Sequence, residues 1–299
     1  MNRALILAAC AASLLPPTTA GAQSVSAVRV SSQALQLDGR LSEEVWRTVP
    51  GAGGFLQREP TEGAPAQDST VVRFAYDDGA LWIGARMYSR DPQGIRALVT
   101  RRDREGSSER LIISLDTHRD KRTAYSFAVT PAEVRIDYFH TSDFERATTY
   151  DYNPVWDTRT RIDSLGWTAE MRIPFTQLRF NPAEIQDWGV NITRVVPATN
   201  EQSYFVLVRR NETGWSSRMA ALTGIEGHSD PDFNVRSLRS NAVVRWEWRP
   251  GSTMFVVWQQ DRGADRAVRV VRPSDIFDTF SATGDNIFAL KVSYWIPLR

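Results

Sequence analysis

Residues 155–180 read VWDTRTRIDSLGWTAEMRIPFTQLRF. In the first half, Trp156, Thr158, Thr160 and Ile162 fall on one side of an extended run. Val155, Asp157, Arg159 and Arg161 fall on the other. After the turn residues Asp163, Ser164, Leu165 and Gly166, the pattern resumes. Trp167, Ala169, Met171, Ile173 and Phe175 alternate with Thr168, Glu170, Arg172 and Pro174. Two period-2 runs joined by a glycine-containing loop predict a β-hairpin. The second strand has a continuous, bulky apolar side, so that side faces a core. Pro174 has no N–H for a ladder, so the strand ends there or lies at an edge.

The flanking sequence extends this reading. Asp77, Asp78, Gly79 and Ala80 separate two alternating runs, 71–76 and 81–88, and predict a second hairpin. Further strands are expected at 28–37, 111–116, 123–130, 134–139, 188–196, 203–209 and 219–225. A short helix is expected over 43–49, with Ser42 as N-cap and Trp46 as its buried anchor. Residues 51–68 and 144–154 read as loops, and 176–180 as a single helical turn. Many short strands and almost no long helical pattern predict an all-β fold, an antiparallel β-sandwich over residues 26–227.

Composition narrows the functional class. The chain has 299 residues, 42% of them hydrophobic, and a formal net charge of +1. There is enough apolar material for a core, and near-neutrality with scattered basic residues argues against a nucleic-acid partner. Residues 1–22 have the form of a signal peptide: Arg3, an apolar stretch at 4–15, and the small residues Ala20, Gly21 and Ala22 before Gln23. That stretch is shorter than the ~20 residues of a membrane-spanning helix. Export to the periplasm or outer membrane of a Gram-negative bacterium is the expectation. The single cysteine, Cys10, lies inside the leader. The processed chain then has no disulfide, no cysteine metal site and no thiol nucleophile.

Particular residues carry a family resemblance. Leu37, Asp38 and Gly39, followed by Glu43, Glu44, Val45 and Trp46, resemble the D-G-x-x-x-E-x-x-W opening of carbohydrate-binding module family nine. Phe74 to Asp78 with Leu81, Trp82 and Ile83 resembles its next hairpin. Residues 111–116 resemble its V-E-I-F-I-D strand, and residues 166–175 its G-[WY]-x-x-E-x-x-I-P strand. The resemblance covers about residues 26–227 and implies a jelly-roll-like, non-catalytic sandwich that binds poly- or oligosaccharides, often beside glycoside hydrolases. A closer likeness is to bacterial outer-membrane proteins that place such a module ahead of a transmembrane β-barrel. Residues 119–122, Asp151 with Tyr152, and Val155 to Asp157 fit that group, as does the tail from Asp232.

The tail, 228–299, can be read without the family. Leu238, Ser240, Ala242, Val244, Trp246 and Trp248 share one side of a strand; Met254, Val256 and Trp258 share a side of the next. Phe288, Leu290, Val292, Tyr294 and Ile296 share a side of a third. One apolar face with aromatics near the turns is the pattern of barrel strands; ordinary strands of a second soluble sheet give the same pattern. The resemblance favours a barrel remnant. A single-chain barrel needs about 8 strands or more, so these few are expected to pack as a small sheet, pair between chains or remain without order.

Saccharide sites stack aromatic rings on pyranose faces and fix hydroxyls with polar groups. In the family two Trp residues sandwich the terminal sugar. Trp215, in the loop before the last sandwich strand, matches one of them, and Trp156 and Tyr152 are the weaker aromatic candidates. The stretch 102–109, where the second family Trp lies, has no aromatic, and the family's acidic sugar contact falls near Ile112. These departures leave open a domain that holds partners at the outer membrane without sugar. Metal and cofactors are not expected. Asp137 and His140 are odd-spaced and point to opposite faces of a strand, and turn chemistry explains Asp77 and Asp78 without calcium. No catalytic motif is present, so no catalytic residue is assigned. Two carboxylates about 5 to 9.5 Å apart would be needed for glycoside hydrolysis, the weakest reading. Glu170 is expected in a strand-stabilising ion pair.

Overall fold

The computed structural model describes residues 23–104, 106–227, 234–249, 252–266 and 284–294. The elements run β1 (Ser24–Arg29), helix α1 (Glu44–Thr48), β2 (Gly51–Ala52) and β3 (Leu56–Glu59). They continue with β4 (Thr70–Tyr76), β5 (Ala80–Tyr88), β6 (Arg110–Asp116), β7 (Ala124–Val129), β8 (Arg135–His140) and β9 (Thr148–Thr149). Then follow β10 (Asp157–Asp163), β11 (Gly166–Pro174), β12 (Ile185–Val196), β13 (Glu201–Tyr204) and β14 (Ala220–Glu226). The main strand order is β10-β11-β5-β4-β1-β14-β12-β6-β7-β8-β9. This single sheet curls so that its two halves stack, giving the all-β sandwich that the alternating patterns predict. Only the hinge of the curl departs from antiparallel pairing. There β1 runs parallel to β4 on one side and to β14 on the other.

The hairpin at 155–180 is β10 and β11, with Asp163 opposite Gly166. Gly166 has φ +135°, and a Cβ there would meet the Met87 carbonyl oxygen at 2.1 Å; only glycine lets β11 begin so close to β5. Trp167, Ala169, Met171 and Ile173 are fully buried, in one core with Ile113, Phe127 and Ile192 of the opposite half. β11 ends at Pro174, where the ladder would lose a donor.

The other side of this half is covered too. Trp46 of α1, with Leu35 and Leu41, packs over Ala75 and Trp82. Gly84 makes room for it, since a Cβ there would lie 2.7 Å from the Trp46 ring. This second layer corrects the expectation for Glu170. Its partners are neutral donors, not a cation. The buried carboxylate accepts the Trp46 indole N–H at 2.8 Å and the Asp38 and Gly39 N–H groups at 2.9 and 2.6 Å. Burial pushes its pKa up, against the pull of those donors. A buried carboxylate is costly unless donors meet it, and the Asp38-Gly39 turn with Trp46 supplies them.

Some local expectations shift. The cap of α1 is Glu43, not Ser42. The stretch 51–68 contains β2 and β3, because β2 pairs with β4 and β3 with β13, partners that the surrounding Gly- and Pro-rich sequence does not announce. The turn at 176–180 begins earlier, as a 3₁₀ turn over Phe175–Gln177.

The tail supplies a separate three-stranded antiparallel sheet: β15 (Asn234–Arg249), β16 (Ser252–Arg266) and β17 (Gly284–Ser293). Val244, Val256 and Leu290 align across it, as do Ala242, Trp258 and Phe288. Trp246, Phe288, Leu290 and Val292 are exposed on this apolar face, and Trp258 stacks on Phe288. The expected leader, residues 1–22, lies outside the described residues, as do 228–233 and Ile296. No described helix is long and apolar enough to cross a membrane, which says nothing of strands.

Candidate functional site

The outward side of the β13-β12-β6-β7-β8 half is where loops and strands leave open concave surface. Alternation sets its floor. Tyr204 pairs with Thr193, which pairs with Ile112, which pairs with Ala128. These point away from the core that Leu111, Ile113 and Phe127 face. One row along, Ser114, Ser126 and Tyr138 are aligned.

Trp215 closes one end of this surface. Its indole lies over the His140 ring, with centroids 4.1 Å apart and planes 31° from parallel. Asp143 fastens the Trp215 loop. Its Oδ1 accepts the Trp215 and Ser217 N–H groups at 2.7 and 2.9 Å, and its Oδ2 accepts the Ser217 hydroxyl at 2.6 Å. Burial alone would raise the Asp143 pKa; the hydrogen bonds from Ser217 and Trp215 outweigh it and hold the carboxyl low. Beneath the indole, His140 Nε2 bonds Ser126 Oγ at 2.8 Å, and Ser126 bonds Ser114 at 2.8 Å. Burial lowers the His140 pKa to about 4. The Trp215 Nε1 donor is buried and has no hydrogen-bond partner among the described residues.

Two adjoining hollows open here. The first, about 280 Å³, lies between Trp215, Phe144, Val208 and Arg146. The second, about 300 Å³, has Ile112, Tyr138 and Tyr204 in its lining. Arg58, Glu145 and Arg146 border both. Glu145 holds the rim together: it pairs with Arg58 at 2.6 Å and accepts the Tyr204 hydroxyl at 2.7 Å. Arg58 also lies over the Tyr204 ring, 5.9 Å from its centroid. Arg210 pairs with Glu59 at the far side. The arrangement sets the exposed Phe144 and half-buried Tyr138 rings beside a fixed ring of hydrogen-bond donors and acceptors.

The three aromatic candidates do not converge. Trp215 lines the first hollow, although only 5% of its surface is exposed. Trp156 lies on the core side of the same half, fully buried, edge-on to Phe127, with its N–H donated to Asp137 at 2.9 Å. Tyr152 packs on Tyr125 and Phe127 and donates its hydroxyl to the Gln177 carbonyl at 2.6 Å. Tyr138 and Tyr204 were not singled out from sequence. The signal for Tyr138 was available in the alternation of Ile136, Tyr138 and His140 against Asp137 and Phe139. Tyr204 depended on the pairing of β13.

Asp137, His140 and Asp143 each serve a different local network. Asp77 accepts the Gly79 and Ala80 N–H groups at 2.8 Å and the Trp82 indole at 3.0 Å, the turn role read from sequence. Among the described residues, the carboxylates close enough to share a cation are Asp38, Glu43 and Glu170. Glu170 already directs its oxygens to three N–H donors.

No protein-family model matches this chain, and no curated protein does. Solved structures do. A family nine carbohydrate-binding module from Caldicellulosiruptor kristjanssonii in complex with cellotriose is 16% identical, with a TM-score of 0.47, covering 70% of this chain and 97% of that one. The same module with glucose aligns at 14% identity and a TM-score of 0.47, covering 70% of this chain and 98% of that one. A candidate carbohydrate-binding protein from Bacteroides uniformis is 13% identical, with a TM-score of 0.52, covering 68% of this chain and 99% of that one. The chain shares the β-sandwich fold of this last protein.

Proposed function

We propose that the sandwich is a non-catalytic saccharide-binding domain and that the two hollows beside Trp215 are its site. The observation that carries the reading is the pairing of aromatic surface with polar groups in an open concavity. The exposed Phe144 and half-buried Tyr138 supply the former; Arg58, Glu145 and Gln202 supply the latter. Sugars need both, an apolar ring face to stack on and fixed partners for hydroxyls. The fold shared with the Bacteroides uniformis protein agrees with this reading, though a fold by itself assigns no function.

The test is calorimetric titration of the purified chain against a panel of neutral and acidic oligosaccharides. Binding that is lost in Tyr138→Ala and kept in Tyr138→Phe supports the site. Absence of heat with every glycan, in a folded protein, removes it.

The setting is part of the proposal: an exported domain acting near polysaccharide breakdown, at the periplasm or outer membrane of a Gram-negative bacterium. The three-stranded sheet is read as barrel-type strands. Its exposed Trp246, Phe288, Leu290 and Val292 favour an apolar environment on that face. Cell fractionation of the full chain tests this part; recovery in the cytosol would end it. A second reading, a partner-holding domain without sugar, draws on the near-complete burial of Trp215. Capture of a protein partner by a variant that binds no glycan would favour it.

A further inference from the structure

We propose that the second hollow selects an acidic saccharide, a pyranose bearing a carboxylate, over a neutral one. This inference rests on the saccharide reading above and refines it.

The charge of the lining carries the argument. Arg58, Arg110, Arg146 and Arg210 border the hollow, against two carboxylates, Glu59 and Glu145. Within this hollow four cations face two anions; Glu62, 3.8 Å from Arg210, and Asp143 and Glu212 of the adjoining hollow offset part of that excess away from Arg146. Both carboxylates are already engaged. Glu145 is held by Arg58 and by the Tyr204 hydroxyl, and Glu59 by Arg210. Arg58 and Arg210 are the partners of these carboxylates, so the guanidinium set toward a ligand is that of Arg146 at the rim. Concave walls focus the potential of such a charge excess. A guanidinium fork matches a carboxylate in two parallel hydrogen bonds, which it cannot do with one hydroxyl.

Arg146 is placed to make that contact. It borders both hollows and is exposed at their shared rim. The half-buried Tyr138 and Ile112 give the same ligand an apolar floor, which argues for a sugar ring rather than a bare anion. A hexuronate joins those two features in one residue: a stackable ring face and a planar carboxylate at its edge.

The experiment titrates the full chain with trigalacturonate and with xylotriose and cellotriose, at low and at moderate salt. The acidic trisaccharide is expected to bind about tenfold tighter or more, the worth of one charge-assisted contact. That margin is expected to shrink as salt rises. Arg146→Gln should remove most of the margin, lowering affinity for trigalacturonate several-fold more than affinity for xylotriose or cellotriose. Neutral and acidic sugars binding alike overturns this inference and leaves the saccharide site standing. Binding of no sugar of either kind overturns both. A sulfated trisaccharide or an acidic peptide of equal charge binding as tightly as trigalacturonate overturns the commitment to a sugar carboxylate. Unchanged acidic binding in Arg146→Gln overturns the role of that residue.

Discussion

Glu170 and Trp46 are 124 residues apart in sequence and joined by a 2.8 Å hydrogen bond from the indole N–H to the carboxylate. The same carboxylate takes the Asp38 and Gly39 N–H groups. One side chain on β11 therefore fastens the turn, the helix and the sheet into a second buried layer. Glu170→Ala leaves these donors without an acceptor inside the protein. Such a loss costs about 1 to 3 kcal/mol per stranded group, and partial relaxation of the turn should bring the total to roughly 3 kcal/mol. Urea unfolding followed by tryptophan fluorescence measures it. A midpoint unchanged from the parent would show that the network adds nothing to stability.

Gly84 tests the same layer from the sheet side. A Cβ there lies 2.7 Å from the Trp46 ring and 2.9 Å from Leu41 Cδ2. Gly84→Ala forces both side chains outward, and overpacking of this kind costs about 1 to 3 kcal/mol. In the background Trp46→Leu the same substitution is expected to cost much less. If the penalty is equal in both backgrounds, Trp46 is not what the glycine accommodates.

These two positions mark where sequence stopped being sufficient. The alternation of Trp167, Ala169, Met171 and Ile173 announced a core-facing strand, because period-2 burial on one face is written in one stretch. The opposite residues Thr168 and Glu170 are buried as well. That burial comes from 35–46, which no local pattern connects to β11. Trp82, on the side of its strand opposite the core, is covered by the same layer. Trp156 illustrates the limit at the site. Its alternation was legible, but Asp137 and Phe127 decide which side is closed, and both arrive from other strands. Trp215 was singled out through the family resemblance; its seat over His140 depends on β8 and was not written in its own stretch. Tyr204 was not singled out, since its strand pairs with β3 inside a stretch that reads as loop.

His140 gives the fold a dependence on pH. Burial lowers its pKa to about 4 from an ordinary 6.5. The unfolded chain thus binds this proton more readily than the folded one between those values. The contribution is fully present above pH 6.5 and is lost as pH falls toward 4, by roughly 2 to 3 kcal/mol. Urea midpoints between about pH 7.5 and 4.5 should fall accordingly. His140→Gln, which keeps a partner for Ser126, should lose that part of the slope. A slope that persists unchanged in the variant would assign the acid sensitivity to the carboxylates instead.

Asp143 controls the pose of Trp215 rather than the stability of the sandwich. It sits outside the core and holds the loop through two N–H groups and the Ser217 hydroxyl. Asp143→Ala releases the tryptophan from its seat on His140. Amide exchange at 213–217 should accelerate, and saccharide affinity should fall about tenfold, as expected when a positioned aromatic is unfastened. Acid should mimic the variant. The folded Asp143 pKa lies below its ordinary value. Its contribution is therefore present above the unfolded value of about 4 and disappears as pH drops through the folded one. The loop should loosen only in that acidic window, later on the way down than the His140 transition. Asp143→Asn retains one acceptor and should fall between the two. If Asp143→Ala exchanges at the parent rate yet loses binding, the carboxylate itself contacts the sugar, and its role in holding the loop is secondary.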